Sequence, residues 1–324
     1  MKDPFISVII PTYNRCKYLS ITIDSFLKQS YPSDMFEIIV VDNSSTDDTS
    51  KLLKSYNDSY PDKVKILFEA RQGVHYARNS AAKFAKGELL YFTDDDMIAD
   101  SDLLKEIVKP FGIDEKVGTA TGRVLPKWEA EPPKWVLRYC INGLLSLSNP
   151  IYEFLISAND CQVYSCHQAI LKDIFLKAGG YNPENTKGEW IGDGETGLNI
   201  KVKDLGYKFA FNGKSIIHHI IPASRMTQAY LNKRFSNQGN CDSYSAFKKH
   251  QFTKRQLQQN VITFYIKGFL QLLKGAIQFV FLRPSWRINL ARAYYYYSRI
   301  KYDRKLIESA VWRQFVLKYD WANE

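Results

Sequence analysis

Over the first hundred residues, short unbroken apolar runs alternate with segments whose apolar positions recur at helical spacing. ISVII at 6–10, EIIVV at 37–41, VKILF at 64–68 and ELLYF at 88–92 read as buried strands. Leu19, Ile23, Phe26 and Leu27 mark a helix from about Lys17 to Gln29. Ser45 and Asp48 outline a capping box ahead of a helix carrying Leu52, Leu53 and Tyr56. A further helix over about 75–86 is expected to stop at Gly87 in a left-handed cap. Continuous apolar strands between helices predict an α/β fold with a mostly parallel, Rossmann-like sheet covered on both faces.

From about Gly122 to Asn159 the pattern changes. WEAEPPKW, with Trp128, Pro132, Pro133 and Trp135, reads as a loop packed over a site. SANDCQVYS looks like a strand, and ILKDIFLKAGGYNP like a helix ending at Gly179-Gly180. GEWIGDGETGLNIKVKDLGYK reads as a loop entering a helix, and FAFNGKSIIHHIIP as one strand or two. Beyond about Arg225 the chain reads as mostly helical. These shifts outline a catalytic unit over 1–240, with halves 1–100 and 101–240, and a basic amphipathic helical region over 241–324.

Open parallel sheets place ligands outside the carboxyl ends of their strands, and polar residues gather there. Thr12-Tyr13-Asn14-Arg15 follow the first strand, Asp42-Asn43 the second, Arg71 and Gly73 the third, and Asp94-Asp95-Asp96 the fourth. Three adjacent carboxylates repel one another unless a cation or hydrogen-bond donors offset them, and hard divalent ions take oxygen ligands beside substrate phosphates. Asp42 suits a base or ribose contact, or a turn cap. Arg71 and Arg78 either face phosphates or pair with acidic neighbours. In GDGET, Asp193 and Glu195 offer a carboxylate for removing a proton, with helix capping as the alternative. His218-His219 ends an apolar strand, where an imidazole can complete a metal shell or touch phosphate.

Composition narrows the class. The 324 residues carry a formal net charge of +10, divided unevenly: 22 Lys/Arg against 28 Asp/Glu in residues 1–200, and 22 against 6 in residues 201–324. A basic tail of this kind suits nucleic acid or an anionic membrane. Five cysteines without repeated spacing read as reduced structural thiols. Asp3 and Pro4 before a short apolar run make a poor signal peptide, so a cytoplasmic start inside the first domain is expected.

These residues resemble the family 2 glycosyltransferases, inverting enzymes with the GT-A fold. SVIIPTYNR matches their first-strand signature, EIIVVDNSSTDDT the segment whose aspartate contacts the nucleobase, and RQGVHYARNSAAKFAKGELLYFTDDD the stretch ending in their DXD motif. The likeness continues more weakly through GGYNPE, GDGETGL and HHIIPASR, to about residue 240. It implies a nucleotide-diphosphate sugar donor, UDP-sugar favoured with GDP- or dTDP-sugar open. Pro11, Thr12, Tyr13, Asn14, Arg15, Asp42, Arg71, Gly73, Arg78, Asp94, Asp95 and Arg225 would bind it. Asp94, Asp96 and His219 would hold Mn2+ or Mg2+. The family has an acidic pair before a leucine; counting back from Leu198 favours Glu195 as base, while Gly197 stands where an acid is usual and keeps Asp193 open.

A glycan, lipid-linked or protein acceptor is implied, with a place in cell-surface polysaccharide, glycolipid or glycoprotein synthesis. Trp128, Trp135 and Trp190 could stack on its sugar, or simply pack. A nucleotidyltransferase would want a glycine-bearing phosphate loop, which PTYNRCKYLS is not. A noncatalytic sugar- or membrane-binding protein would not need Asp42, Asp94, Asp96 and Glu195. A nucleic-acid partner would explain the basic tail but not the acidic strand ends. In residues 261–282, Lys267, Gln271, Lys274 and Gln278 recur as a polar stripe, with Ile262, Phe269, Leu270, Leu273, Ile277 and Phe281 largely elsewhere. That periodicity predicts an interfacial helix on the inner face of the cell membrane, or packing on the catalytic unit or on a second copy, rather than a span.

Overall fold

The computed structural model describes residues 3–140, 143–159 and 161–323. Its strands are β1 (Ile6–Thr12), β2 (Phe36–Asp42), β3 (Val64–Phe68), β4 (Leu89–Thr93), β5 (Met97–Ala99), β6 (Val117–Trp128), β7 (Phe154–Ser157), β8 (His167–Leu171), β9 (Asn185–Thr186), β10 (Glu189–Trp190) and β11 (Lys208–Ile221). Nine of them form one sheet in the order β3-β2-β1-β4-β8-β6-β11-β5, with β7 also on β11; β9 and β10 pair as a hairpin. The four strands read from the apolar runs are mutually parallel, but β8 runs antiparallel to both β4 and β6, and β5 and β7 run antiparallel to β11. The parallel pattern therefore holds for the first half, and the whole sheet is mixed.

Side chains alternate between two cores. Ile6, Val8 and Ile10 of β1 pack with Leu19, Ile23 and Phe26 on one face. Ile9 joins Ile39, Val41, Leu90 and Phe92 on the other, as a period-two strand covered on both sides requires. Helices Cys16–Leu27, Thr49–Ser59 and Val74–Phe84 follow the first three strands. β1 and β2 are in register from Ile6↔Phe36 to Thr12↔Asp42, which brings both polar strand ends to one edge.

Three local expectations change. The helix of residues 49–59 has no capping box: Asp47 Oδ1 accepts from Thr49 N at 3.0 Å, while Ser45 N donates to Asp42 Oδ1 at 2.8 Å. Gly87 is not a left-handed cap, since the preceding helix ends at Phe84 and Gly87 lies pressed on β1, where a Cβ would meet Ser7 N at 2.5 Å. The strand read in SANDCQVYS lies earlier, at Phe154–Ser157; Asp160 is outside the described residues, and Cys161 and Val163 are buried without strand geometry. All five cysteines are free, as their spacing suggests.

The rest of the chain is helical. Gln228–His250, Lys254–Val280 and Trp286–Glu308 are long helices, followed by Ala310–Val316. Residue 240 lies inside the first of these. Thr253 and Gln256 form a reciprocal capping box on the second. The second and third pack closely: Gly268 approaches Tyr296, and Gly275 approaches Asn289. After these helices the chain returns to the sheet-bearing part, where Trp321 N donates to the Gly179 carbonyl at 2.8 Å and Ala322 is fully buried in the second core.

Candidate active site

A cleft of about 1080 Å³ opens at the carboxyl edge of the parallel strands, and Pro11, Thr12, Tyr13, Arg15, Gly73 and Arg78 line it. Asp94, Asp95, Asp96, Trp190, Asp193, Glu195 and Arg225 line it too. The sequence thus anticipated much of one continuous surface.

The three aspartates have different surroundings. Asp94 takes a short hydrogen bond from the buried Arg78 guanidinium. Asp95 accepts from Thr12 Oγ1 at 2.7 Å; burial, and then the Asp96 charge, push it up to about 7. Asp96 faces cations: Arg225 Nη2 donates to Oδ2 at 2.7 Å, and Arg15 Nη1 lies 3.5 Å from the same oxygen. Burial alone would raise the Asp96 carboxyl, but His219, Arg225 and Arg15 outweigh it and hold the group below the ordinary carboxylate range.

His219 comes from the far end of β11. Its Nδ1 lies 2.9 Å from the Leu145 carbonyl, which can only accept, so Nδ1 donates to it and Nε2 is the ring nitrogen left facing the aspartates. Nε2 points at Asp96 Oδ1, 3.6 Å away, and also contacts Arg225. A carboxylate and an imidazole nitrogen, once unprotonated, would make a donor set suited to Mn2+ or Mg2+, and the Leu145 contact fixes the ring as metal-binding histidines require. His218, by contrast, turns to Asp100 at 3.0 Å.

Glu195 sits in the first turn of helix Gly194–Asp204 and accepts from Ser165 Oγ at 3.0 Å. Burial, and after it the Glu184 charge, raise its proton affinity. Asp193 immediately precedes that helix, but its two oxygens are taken by Asn182 Nδ2 and Ser245 Oγ, each at 2.6 Å. Burial raises Asp193 as well.

Several expected residues stand back from the cleft wall. Asp42 spends its oxygens on Ser45 N and Ser50 Oγ, at 2.8 and 2.6 Å, shaping its own loop. Asn14 has a left-handed backbone (φ 53°) and accepts from Thr46 N at 2.7 Å. Arg71 forks onto Glu69 with two 3.0 Å bonds and covers the Tyr76 ring at 4.7 Å, the pairing alternative. Trp128 and Trp135 pack against the first core, and Arg287 of the tail covers the Trp135 ring at 4.7 Å. WEAEPPKW is therefore not the segment over the site; Tyr139, Gly143, Leu144 and Ser146 line the cleft instead. An aromatic-rich turn looks alike whether it stacks on sugar or fills a core gap.

Other lining residues had no assigned role, although Asn43 was read at the end of the second strand. Asn43 bridges two strand ends, donating to the Glu69 and Arg71 carbonyls at 2.8 and 2.9 Å and accepting from Gly73 N at 2.8 Å. His75 and Glu184 lie in the wall beside Glu195, and Arg234, Arg292 and Tyr295 enter from the tail helices. Glu184 lies in the GGYNPE stretch and His75 in RQGVHYARNSAAKFAKGELLYFTDDD, both quoted for the resemblance without a role for either residue. The tail residues gave no signal, because helical periodicity does not say what a helix face touches.

Over 113 residues the chain is 40% identical to an uncharacterized glycosyltransferase of Nostoc sp., covering 35% of this chain and 34% of that one. Over 100 residues it is 39% identical to a poly(ribitol-phosphate) beta-N-acetylglucosaminyltransferase of Staphylococcus aureus, 31% of this chain and 18% of that one. These matches span about a third or less of the relatives' own length. A mannosyltransferase from Pyrobaculum calidifontis in complex with GDP-Man and Mn2+ shares the fold with a TM-score of 0.57, over 97% of this chain and 78% of that one, at 19% identity. The architecture is the GT-A fold, with a mixed central sheet, flanking helices and a helical C-terminal region. Because the profile of Glycosyl transferase family 2 matches residues 7–178, more than half of the chain, the protein belongs to that family of glycosyltransferases.

Proposed function

We propose that the protein moves a sugar from a nucleotide-diphosphate sugar to an acceptor hydroxyl with inversion at the anomeric carbon. The observation that carries this reading is that Glu195 and the aspartates after β4 line one cleft. Glu195 takes the proton from the acceptor hydroxyl as its oxygen bonds to the anomeric carbon. The bond from that carbon to the diphosphate oxygen breaks, and its electron pair leaves with the nucleotide. Attack from the face opposite the leaving group inverts the centre.

Asp94, Asp96 and His219 would hold a divalent ion. When bound, it offsets the charge that builds on the departing diphosphate. Arg225 and Arg15, already turned to Asp96, stand where they can meet phosphate oxygens. The GDP-Man and Mn2+ of the Pyrobaculum enzyme support a nucleotide sugar and a metal of this kind. UDP-sugar is the favoured donor, and Asp42 would meet its base by turning from Ser45 N and Ser50 Oγ. Of the three tryptophans, Trp190 is the one placed to stack on an acceptor, since it lines the cleft while Trp128 and Trp135 do not.

No helix among the described residues is long and apolar enough to cross a membrane. Ile262, Ile266, Phe269, Leu273, Ile277 and Val280 are nonetheless exposed on helix Lys254–Val280, with Lys267, Lys274 and Arg283 exposed on or near it. An apolar face bordered by cations suits the anionic inner face of the cell membrane, where we place the enzyme as a peripheral protein.

A panel of UDP-, GDP- and dTDP-sugars, incubated with and without Mn2+, tests the central reading through nucleotide release and NMR of the product anomer. Metal-stimulated release from one donor with inversion supports it. Retention of configuration, or release unaffected by EDTA, overturns the mechanism.

A further inference from the structure

His75, Glu184 and Glu195 each present an atom within 4.8 Å of the others, and the donor and base assignments use only the last of them. His75 is buried and stacks on Tyr181, with centroids 4.6 Å apart. Arg78 Nη1 lies 3.3 Å from His75 Nδ1. A guanidinium can only donate, so Nδ1 holds a lone pair and the ring proton sits on Nε2. That proton faces Glu184 Oε1 at 3.0 Å. The trio has the composition of a cation site, but with the imidazole lone pair committed to Arg78, a metal would first have to displace the Nε2 proton.

The backbone is shaped around this pair. Gly194 has φ 53°, and a Cβ there would lie 1.9 Å from Glu184 Oε1 and 2.5 Å from His75 Nε2. The glycine directly before Glu195 is thus the gap that lets the His–Glu pair reach the start of Glu195's helix. Ile191 N donates to the Glu184 carbonyl at 3.0 Å, and Asn182 bridges to Gly194, so the loop carrying Glu184 is tied to this point.

We infer that Glu184, held by His75, is a positioning residue for the base: it keeps a negative charge beside Glu195, so that Glu195 retains the proton it takes from the acceptor. This rests on Glu195 being the base. Among the charged and titratable groups around Glu195, Glu184 favours its protonated form, His75 and Arg78 oppose it and Ser165 donates to the carboxylate; Tyr181, Cys166 and Cys241 also face it, and Arg234 acts on Glu184. A base with too low a proton affinity at this point would leave the proton on the acceptor oxygen late into attack.

The test compares Glu184→Gln, Glu184→Asp, His75→Phe and Glu195→Gln in the full chain. Each is measured for turnover against pH and, separately, for nucleotide binding with Mn2+. Glu184→Gln is expected to move the acid limb of the turnover profile down by about one pH unit and to lower the plateau about tenfold, with nucleotide binding unchanged. Glu184→Asp should restore most of the plateau. His75→Phe keeps the stack on Tyr181 but removes a group that opposes the protonated form of Glu195, and should shift the limb the other way, upward. Unmoved limbs in both Glu184→Gln and His75→Phe, beside an inactive Glu195→Gln, overturn this inference and leave the base assignment standing. Full turnover in Glu195→Gln overturns the base assignment and this inference with it. A limb that moves only with Mn2+ concentration puts a cation on the trio and also overturns it.

Discussion

Ser245 Oγ donates to Asp193 Oδ2 at 2.6 Å, joining a helix of the basic tail to the residue two before the proposed base. The bond is part-buried and its acceptor is 4% exposed. The tail is therefore part of the cleft's construction as well as its surface. Ser245→Ala should lower stability by about 1–3 kcal/mol, the usual cost of leaving a buried polar group short of a partner. Turnover should fall more than nucleotide binding, because helix Gly194–Asp204 loses its anchor. Urea denaturation beside single-turnover kinetics checks both.

Glu195→Gln keeps size and shape but cannot take a proton. Turnover should drop about 100-fold or more, with nucleotide-sugar affinity within a few-fold of the parent. Asp193→Asn, whose carboxylate oxygens are both occupied, should lose less turnover and more stability. The reverse order, read from initial rates and thermal melts of the two variants, would exchange their roles.

Asp96→Ala removes the carboxylate on which Arg15, Arg225 and His219 converge. It should abolish any enhancement of donor binding by Mn2+ and cripple transfer. Asp94→Ala also releases the buried Arg78 from its partner and should lose stability in addition. Calorimetric titration of UDP-sugar with and without Mn2+ distinguishes the two. Binding that still responds to metal in Asp96→Ala contradicts the metal assignment.

Asp303 joins the tail helices through hydrogen bonds to Ser243 and Asn260, and burial pushes it up to about 6. Its folded-state value lies above that of the unfolded chain, so the unfolded state ionises first as pH rises. Stability from this group is full below about pH 4 and is lost as pH climbs to about 6, by roughly 2–3 kcal/mol. Asp303→Asn should remove that component. Parallel urea titrations from pH 4 to 7 measure it as the difference between the two proteins.

Phe269 and Leu273 are 66% and 49% exposed. Phe269→Glu with Leu273→Glu should leave the melting temperature and soluble turnover near those of the parent, yet weaken sedimentation with anionic vesicles about tenfold or more. Parent binding should also fall with added salt. Equal recovery on neutral and anionic vesicles, or no effect of the double substitution, would remove the membrane assignment. Point substitutions serve better here than deleting residues 261–324, because Tyr302, Leu306 and Ala322 from that stretch are buried in the two cores they complete.

The parallel strands were legible because each apolar run simply ends at its polar residues, so Thr12, Asp42 and the three aspartates needed no tertiary information to be placed. Glu195 was singled out through the resemblance by its distance from Leu198, and the structure puts it in the cleft wall, with its role as base still a proposal. Asp42 and Arg71 were seen, but not their partners, since a carboxylate turned onto Ser45 and Ser50 has the same sequence as one turned outward. Gly87 shows the same limit: its small size answers to Ser7, far away in sequence, and not to the helix beside it. The His75–Glu184 pair joins two stretches that only the closed fold brings together. In the tail, the spacing of Lys267, Gln271, Lys274 and Gln278 was right about a divided helix. Gln278 nevertheless accepts from Asn289 on the next helix, so part of that stripe is a seam between helices.

The return of Trp321 and Ala322 to Gly179 and Asn79 has a consequence for the birth of the molecule. Asn79 Nδ2 donates to the Trp321 carbonyl across 242 positions. During synthesis, every strand of the sheet has left the ribosome well before Ala322 can fill its place in the core. A growing chain therefore carries the donor-site loops for some time with that place unfilled, and contacts of such long sequence separation form slowly. At about 5–20 residues per second, roughly five to twenty-five seconds separate emergence of Glu195 from emergence of the residue that closes the core. The bulk of the cleft can assemble early, but its tail wall and the fixed seat of the proposed base wait for helices made after Glu195.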